Sequence, residues 1–166
     1  LTPFKLVVSA RGNDVQAMAQ RSAIQRWMLR RLFRRADAIL FCSSYLQREA
    51  APLLTGVKPG TFVGVVGDGF DPGEFAGRAP YRHTGRYVLA MGRFVEKKGF
   101  DLLVRAFGQI AGEFPGVDLI IAGDGEARAR LEQLIGELSL RDRVHLPGFV
   151  DREKIIALYL GCEFFA

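Results

Sequence analysis

Short apolar runs alternate with stretches of helical spacing along most of the chain. Residues 5–10, 38–42, 61–66, 86–91, 117–122, 143–146 and 163–166 are brief, mainly apolar and bounded by glycine or polar clusters, which predicts strands. Residues 22–36, 45–54, 99–113, 126–138 and 152–160 predict helices; in the third, Phe100, Leu103, Val104 and Phe107 fall on one face. Ser44 with Gln47 has the spacing of a capping box, and Asp151 stands where it can cap the last helix. Strand and helix in alternation, joined by short connections, predict an α/β fold with parallel sheets covered by helices. Between Gly67 and Gly85 the sequence turns rich in Gly, Pro and charge and loses its period. An inter-domain linker is expected there, dividing the chain into residues 1–75 and 76–166.

One connection in this pattern carries chemistry. Residues 88–103 read VLAMGRFVEKKGFDLL, so Gly92, Arg93, Lys98 and Gly99 lie between a strand's carboxyl end and a helix's amino end. Open α/β sheets bind ligands at that place, and the unpaired N–H groups and dipole of a helix start favour an anion. A diphosphate fits the pair of cations. A second turn, Ala122-Gly123-Asp124-Gly125-Glu126, also follows a strand and opens a helix. It holds only the first two glycines of a dinucleotide fingerprint, with Arg128 at the third position, so it gives a nicotinamide or flavin little support. A βα turn needing positive φ explains each glycine equally well. Asp124 and Glu126 flank a glycine as solvated or capping carboxylates do, and no metal is assigned to them.

Composition bounds the answer more loosely. At 166 residues and 49% hydrophobic the chain suits one globular domain or parts of two. It opens without Met and stops at Phe164-Phe165-Ala166 inside a strand-like run, and so reads as a piece of a longer protein. No apolar run approaches the roughly 18 residues of a transmembrane helix, and no signal-peptide succession is present. Cys42 and Cys162 each fall in an apolar run, which suits buried thiols in a reducing, cytoplasmic setting. With His83 and His145 as the only histidines, a zinc site is not expected.

Net charge is +5, and its distribution matters more than its size. Arg21, Arg26, Arg30, Arg31, Arg34 and Arg35 share one segment with Ile24, Trp27, Met28, Leu32 and Phe33. Arg26, Arg30 and Arg34 stack at i, i+4 spacing. Such a basic amphipathic helix can meet anionic headgroups or polyanions, giving peripheral membrane contact through residues 21–35; a solvated basic face with the apolar stripe on a core explains it more simply. Basic and aromatic interleaving of a nucleic-acid module is lacking, so nucleic acid is not expected as a partner.

Several motifs in order carry a resemblance. Ile39-Leu40-Phe41-Cys42-Ser43-Ser44-Tyr45-Leu46, then Val65-Val66-Gly67-Asp68-Gly69-Phe70-Asp71 and Phe75, then GRFVEKKG, IIAGDGE and Val144-His145-Leu146-Pro147-Gly148-Phe149-Val150 resemble a retaining family 4 (group 1) glycosyltransferase over residues 36–166. The resemblance implies a GT-B fold of two Rossmann-like domains, incomplete in this chain: the tail of the amino-terminal, acceptor-side domain and the front of the carboxyl-terminal, donor-binding one. It implies a sugar transferred from a nucleotide-sugar with retention of configuration, to a glycan, lipid-linked sugar or small molecule, without a cofactor or metal. Arg93 and Lys98 match the family's GR-x4-KG cations, which hold the donor diphosphate. Gly92, Gly99, Gly123 and Gly125 would line the donor cleft, and the backbone at Phe149 and Val150 would border the nucleobase; Phe149 could equally be a core aromatic.

Two departures accompany the resemblance. Where many relatives place a His-Gly-x-Asp motif towards acceptor or sugar, this chain has Arg11-Gly12-Asn13-Asp14, so Arg11 replaces the His and can meet an anionic acceptor, while Asp14 serves equally as a helix cap. The family's pair of glutamates that contact the donor sugar is expected beyond Ala166, so the isolated piece is expected to transfer little. An isomerase or phosphorylase on the same architecture, or a non-catalytic basic module, remains the alternative, since fold does not fix function.

Overall fold

The computed structural model describes residues 4–12, 15 and 22–166. Two compact units divide after Phe70. The first contains β1 (Val7–Ala10), α1 (Ala23–Arg35), β2 (Ala38–Phe41), α2 (Ser44–Glu49) and β3 (Phe62–Val65). Its strands form a parallel sheet in the order β1-β2-β3, with Ala38 opposite both Val7 and Phe62. Phe33, Ala36, Ile39, Phe41, Leu46 and Leu53 make the core, and the Phe33 ring stands edge-on to Phe41 at 6.4 Å. Asp37 fastens the sheet's lower edge by accepting from the Leu6 N–H and the Lys58 ammonium, both at 2.8 Å.

Three expectations are corrected in this unit. The cap of α2 is Ser43, not Ser44: Ser43 has extended backbone, and its Oγ accepts from the Leu46 N–H at 3.2 Å, whereas Ser44 is already helical. The helix expected to reach residue 54 stops at Glu49 and gives way to a 3-10 turn over Ala51–Leu53, because Pro52 has no N–H and its ring crowds the preceding turn. In α1, Leu29 and Phe33 face the core, whereas Ile24, Trp27, Met28 and Leu32 are exposed. The apolar stripe expected on the core therefore points the other way. Asp14 and Arg21 lie outside the described residues.

The second unit contains β4 (Arg86–Met91), α3 (Phe100–Ile110), β5 (Val117–Ala122), α4 (Arg128–Glu137), β6 (Val144–His145), α5 (Arg152–Gly161) and β7 (Phe164–Phe165). All four strands are parallel, in the order β6-β5-β4-β7. Alternation along the strands divides the core into two layers. Val88, Ala90, Leu119 and Ile121 meet Val104 and Phe107 of α3 and Leu131 of α4 on one face. Tyr87, Leu89, Ile120 and Ala122 meet Val150 and Leu158 on the other, where α5 lies. The chain advances from β4 to β6, then returns through α5 to β7 on β4's free side, so the strand order reverses at β4.

Residues 71–75, expected with the first unit, belong to the second. Their 3-10 turn, Pro72–Glu74, is capped by Asp71 and joined to α5 by an ion pair between Glu74 and Arg152. Cys42 and Cys162 are free and half-buried rather than fully enclosed. Among the described residues no helix is long and apolar enough to cross a membrane.

Candidate functional site

The loops that leave β4, β5 and β6 are stitched together at the carboxyl edge of the second sheet. Gly92 N–H donates to the Ala122 carbonyl at 3.0 Å, Phe94 N–H to Asp124 at 2.8 Å, and Gly123 N–H to Gly148 at 2.9 Å. Such close approach needs residues without side chains. A Cβ at Gly123 would stand 1.9 Å from the Gly92 carbonyl oxygen, and one at Gly125 2.5 Å from that of Phe94; both glycines also have positive φ, +138° and +156°. The turn expected from the AGDGE motif is thus a backbone-on-backbone junction.

Above this floor lies an open cleft of about 350 Å³. Gly92, Arg93, Gly123, Asp124, Phe149 and Val150 line it, together with Met91, Ala122 and Ile155. Arg93 is exposed, Val150 is buried, and Phe149 is 89% exposed, which excludes a core role for that ring. The cleft opens at the carboxyl ends of β4 and β5, beside the reversal of strand order, where α/β sheets hold their ligands.

Lys98 reaches the same turn from a neighbouring element. It ends a 3-10 turn, Glu96–Lys98, that Gly99 closes in the left-handed conformation before α3 begins. Its aliphatic stem runs beside Gly92: a Cβ there would lie 3.6 Å from Lys98 Cε. Arg93 and Lys98 are therefore brought to one loop, next to a helix amino end that no side chain caps. A planar guanidinium, a compact ammonium and free N–H groups together suit phosphate oxygens. Lys98, Gly99 and Gly125 stand outside the lining, and the two glycines shape the loops behind it.

The remaining charged groups have other work. Asp124 Oδ1 accepts from the Gly125 N–H at 2.7 Å and Oδ2 lies 3.8 Å from Arg128, so this carboxylate braces its turn. Arg128 also pairs with Glu132 at 2.8 Å and donates to the Leu146 carbonyl at 3.1 Å, tying α4 to the loop after β6. Arg11, in the first unit, is exposed and pairs with Asp68 at 3.1 Å across the loops that follow β1 and β3.

A second polar cluster was not foreseen. Asp118 Oδ2 meets His83 Nε2 at 2.6 Å and His145 Nε2 at 3.0 Å, while Oδ1 accepts from Arg143 Nε at 3.0 Å. Burial raises the Asp118 pKa, but hydrogen bonds from His83, His145 and Arg143 outweigh it and hold the carboxyl below its ordinary value. The ligand atoms of His83, Asp118 and His145 lie within 4.8 Å of one another, a spacing that can accommodate a metal ion. Arg143 on the same carboxylate opposes a second cation, and both Asp118 oxygens are already used, so the cluster is self-sufficient as an ion network. No signal in the sequence joins two histidines so far apart. Met91 and Ile155, also unforeseen, are more legible: Met91 continues the inward alternation of Tyr87 and Leu89, and Ile155 lies one helical turn from the Asp151 cap, whose carboxylate accepts from the Lys154 N–H at 2.8 Å.

The second unit is a Rossmann-like parallel sheet with a glycine-floored cleft at its carboxyl edge. Residues 75–166 match the family model described as "Glycosyl transferases group 1", and the chain belongs to that family. It is 29% identical over 116 residues to one component of human phosphatidylinositol N-acetylglucosaminyltransferase, covering 70% of this chain and 24% of that protein. It is 32% identical over 142 residues to alpha-D-kanosaminyltransferase of Streptomyces kanamyceticus, covering 80% and 36%. Among solved structures, Anabaena Alr3699/HepE in complex with UDP superposes with a TM-score of 0.72 at 21% identity, covering 97% of this chain and 46% of that one. Sucrose-phosphate synthase from Thermosynechococcus elongatus gives 0.70 at 23% identity, covering 98% and 44%. These likenesses establish a GT-B-type fold, and the chain spans about a quarter to a third of the two curated relatives and under half of the two solved chains.

Proposed function

We propose that this protein transfers a sugar from a nucleoside-diphosphate sugar with retention of configuration, and that the second unit, from residue 71 onward, binds the donor while the first, up to residue 70, lies on the acceptor side. The observation that carries the reading is Arg93 in the lining of the glycine-floored cleft, with the Lys98 stem running beside the Gly92 turn. As the glycosidic bond breaks, negative charge grows on the departing diphosphate. Arg93, Lys98 and the amino end of α3 meet that charge in place of a metal, stabilising the transition state more than the ground state. Phe149 offers an exposed face beside Val150 on which a nucleobase can rest. Arg11, already paired with Asp68, is the candidate contact for an anionic acceptor group. The relatives' names include a phosphatidylinositol and a kanosaminyl enzyme, so the acceptor is left at a glycan, a lipid-linked sugar or a small molecule. We assign the reaction to the cytoplasm, at the inner membrane face.

The test is a panel of UDP, GDP, ADP and dTDP titrated into isotopically labelled protein. At least one nucleotide is expected to bind, with amide shifts centred on Gly92, Gly123 and Phe149 and with affinity unaltered by a chelator. Shifts centred elsewhere, or dependence on a divalent ion, would refute the assignment.

A further inference from the structure

The loop that brings Phe149 and Val150 to the cleft draws its support from neighbouring elements. It leaves β6 at Leu146, Pro147 has no N–H to donate, and Gly148 turns the chain in the left-handed region at φ +80°. Gly123 N–H donates to the Gly148 carbonyl at 2.9 Å, and Arg128 Nη2 donates to the Leu146 carbonyl at 3.1 Å. Arg128 commits the rest of its guanidinium to the same junction. Nε donates to Glu132, one helical turn further on, at 2.8 Å. Nη1 lies 3.8 Å from Asp124 Oδ2 and 3.7 Å from the place a Cβ at Gly148 would take. Asp124, Phe149 and Val150 all line the cleft, whereas Arg128 and Glu132 face a separate depression together with Leu146. One half-buried side chain thus joins α4, the turn after β5 and the loop after β6 without entering the cleft.

We infer that Arg128 is a positioning residue for nucleobase selectivity: it fixes the loop of Phe149 and Val150 against the turn after β5, and so sets which base the cleft accepts. The inference rests on the donor reading above. Arg93 stands on the loop after β4, and the strand order β6-β5-β4 puts the turn after β5 between that loop and Phe149. Diphosphate affinity and base selectivity therefore reside on different loops. A site discriminates by holding its groups where one base fits and another leaves a polar group unpaired, and discrimination fades when those groups can move. A lysine at position 128 would keep the charge, but its single ammonium lacks the planar fork that meets the Glu132 carboxylate and the Leu146 carbonyl at once.

The test is calorimetric titration of UDP, GDP, ADP, dTDP and inorganic pyrophosphate into the parent protein, Arg128→Lys, Glu132→Ala and the double variant. The parent is expected to bind one nucleotide best. Arg128→Lys should weaken that nucleotide by about tenfold, the order for one charge-assisted hydrogen bond, and draw the four nucleotide affinities together while pyrophosphate binding stays the same. Glu132→Ala, outside the cleft lining, should move the nucleotide ratios in the same direction and add nothing once Arg128 is replaced. General loss of stability would instead weaken all five ligands in proportion. Such a uniform loss, with the nucleotide ratios unchanged, overturns the inference and leaves the donor reading standing. So does a parent that prefers no base. A parent that binds no nucleotide overturns the donor reading itself, and this inference with it.

Discussion

Asp118 serves three partners with two oxygens, and its depressed pKa makes it a source of pH-dependent stability. A carboxyl whose folded pKa lies below its unfolded value of about 3.9 stabilises fully above that value, and the contribution is lost as pH falls through the folded pKa. Asp118→Asn is therefore expected to destabilise the protein by about 1.5 to 3 kcal/mol at pH 7, the range for hydrogen bonds to a charged group. The gap should narrow below about pH 4. Urea unfolding at pH 7 and pH 3 checks this, and an equal gap at both values would dismiss the ion network. Tyr87 is a quieter case: burial, with smaller contributions from Cys162 and Tyr81, pushes its hydroxyl up to about 12, and it stays a neutral donor to the Leu158 carbonyl at 2.8 Å.

At the scale of elements, the tightest constraints are glycines at which two segments meet. Gly123→Ala would drive a methyl into the Gly92 carbonyl in a backbone conformation that L side chains rarely adopt. A loss of at least about 2 kcal/mol is expected, with the cleft pried open, and thermal melting with amide shifts at Gly92 measures both. Gly161→Ala tests a different junction. A methyl there would stand 2.6 Å from Tyr87 Oη and 2.7 Å from the Tyr81 carbonyl oxygen, so it should destabilise although alanine favours a helix by about 1 kcal/mol. Combining it with Tyr87→Phe should cost less than the two changes summed, because phenylalanine lacks the hydroxyl that the new methyl would strike. Strictly additive losses would place the strain elsewhere.

For the molecule as a whole, strand and helix alternation was legible because the strands are short apolar runs, β4 and β5 being buried on both faces, and the connections are short. The errors have local causes. Ser43 and Ser44 both suit a cap, and only the backbone angles choose between them. Pro52 ended α2 early. The stripe of α1 has helical period on its outer face, and periodicity alone does not say which face meets the core. In the cleft, Gly92 and Arg93 follow from their place at the carboxyl end of a strand, whereas the expectation for Gly123, Phe149 and Val150 rests on the family resemblance; the structure brings all five to one lining. The His83, Asp118 and His145 cluster was not, because it depends on the pairing of β5 with β6 and on a segment that precedes β4.

The central claim is that Arg93 holds the departing diphosphate. Calorimetric titration of nucleoside diphosphates into the parent protein, Arg93→Ala and Lys97→Ala measures it most directly. Removing one charge-assisted phosphate contact costs about 1.5 to 3 kcal/mol, so Arg93→Ala should weaken binding by roughly 10- to 150-fold. Lys97→Ala, at an exposed position outside the cleft lining, should leave it unchanged. Equal affinity for the parent and Arg93→Ala would contradict the account.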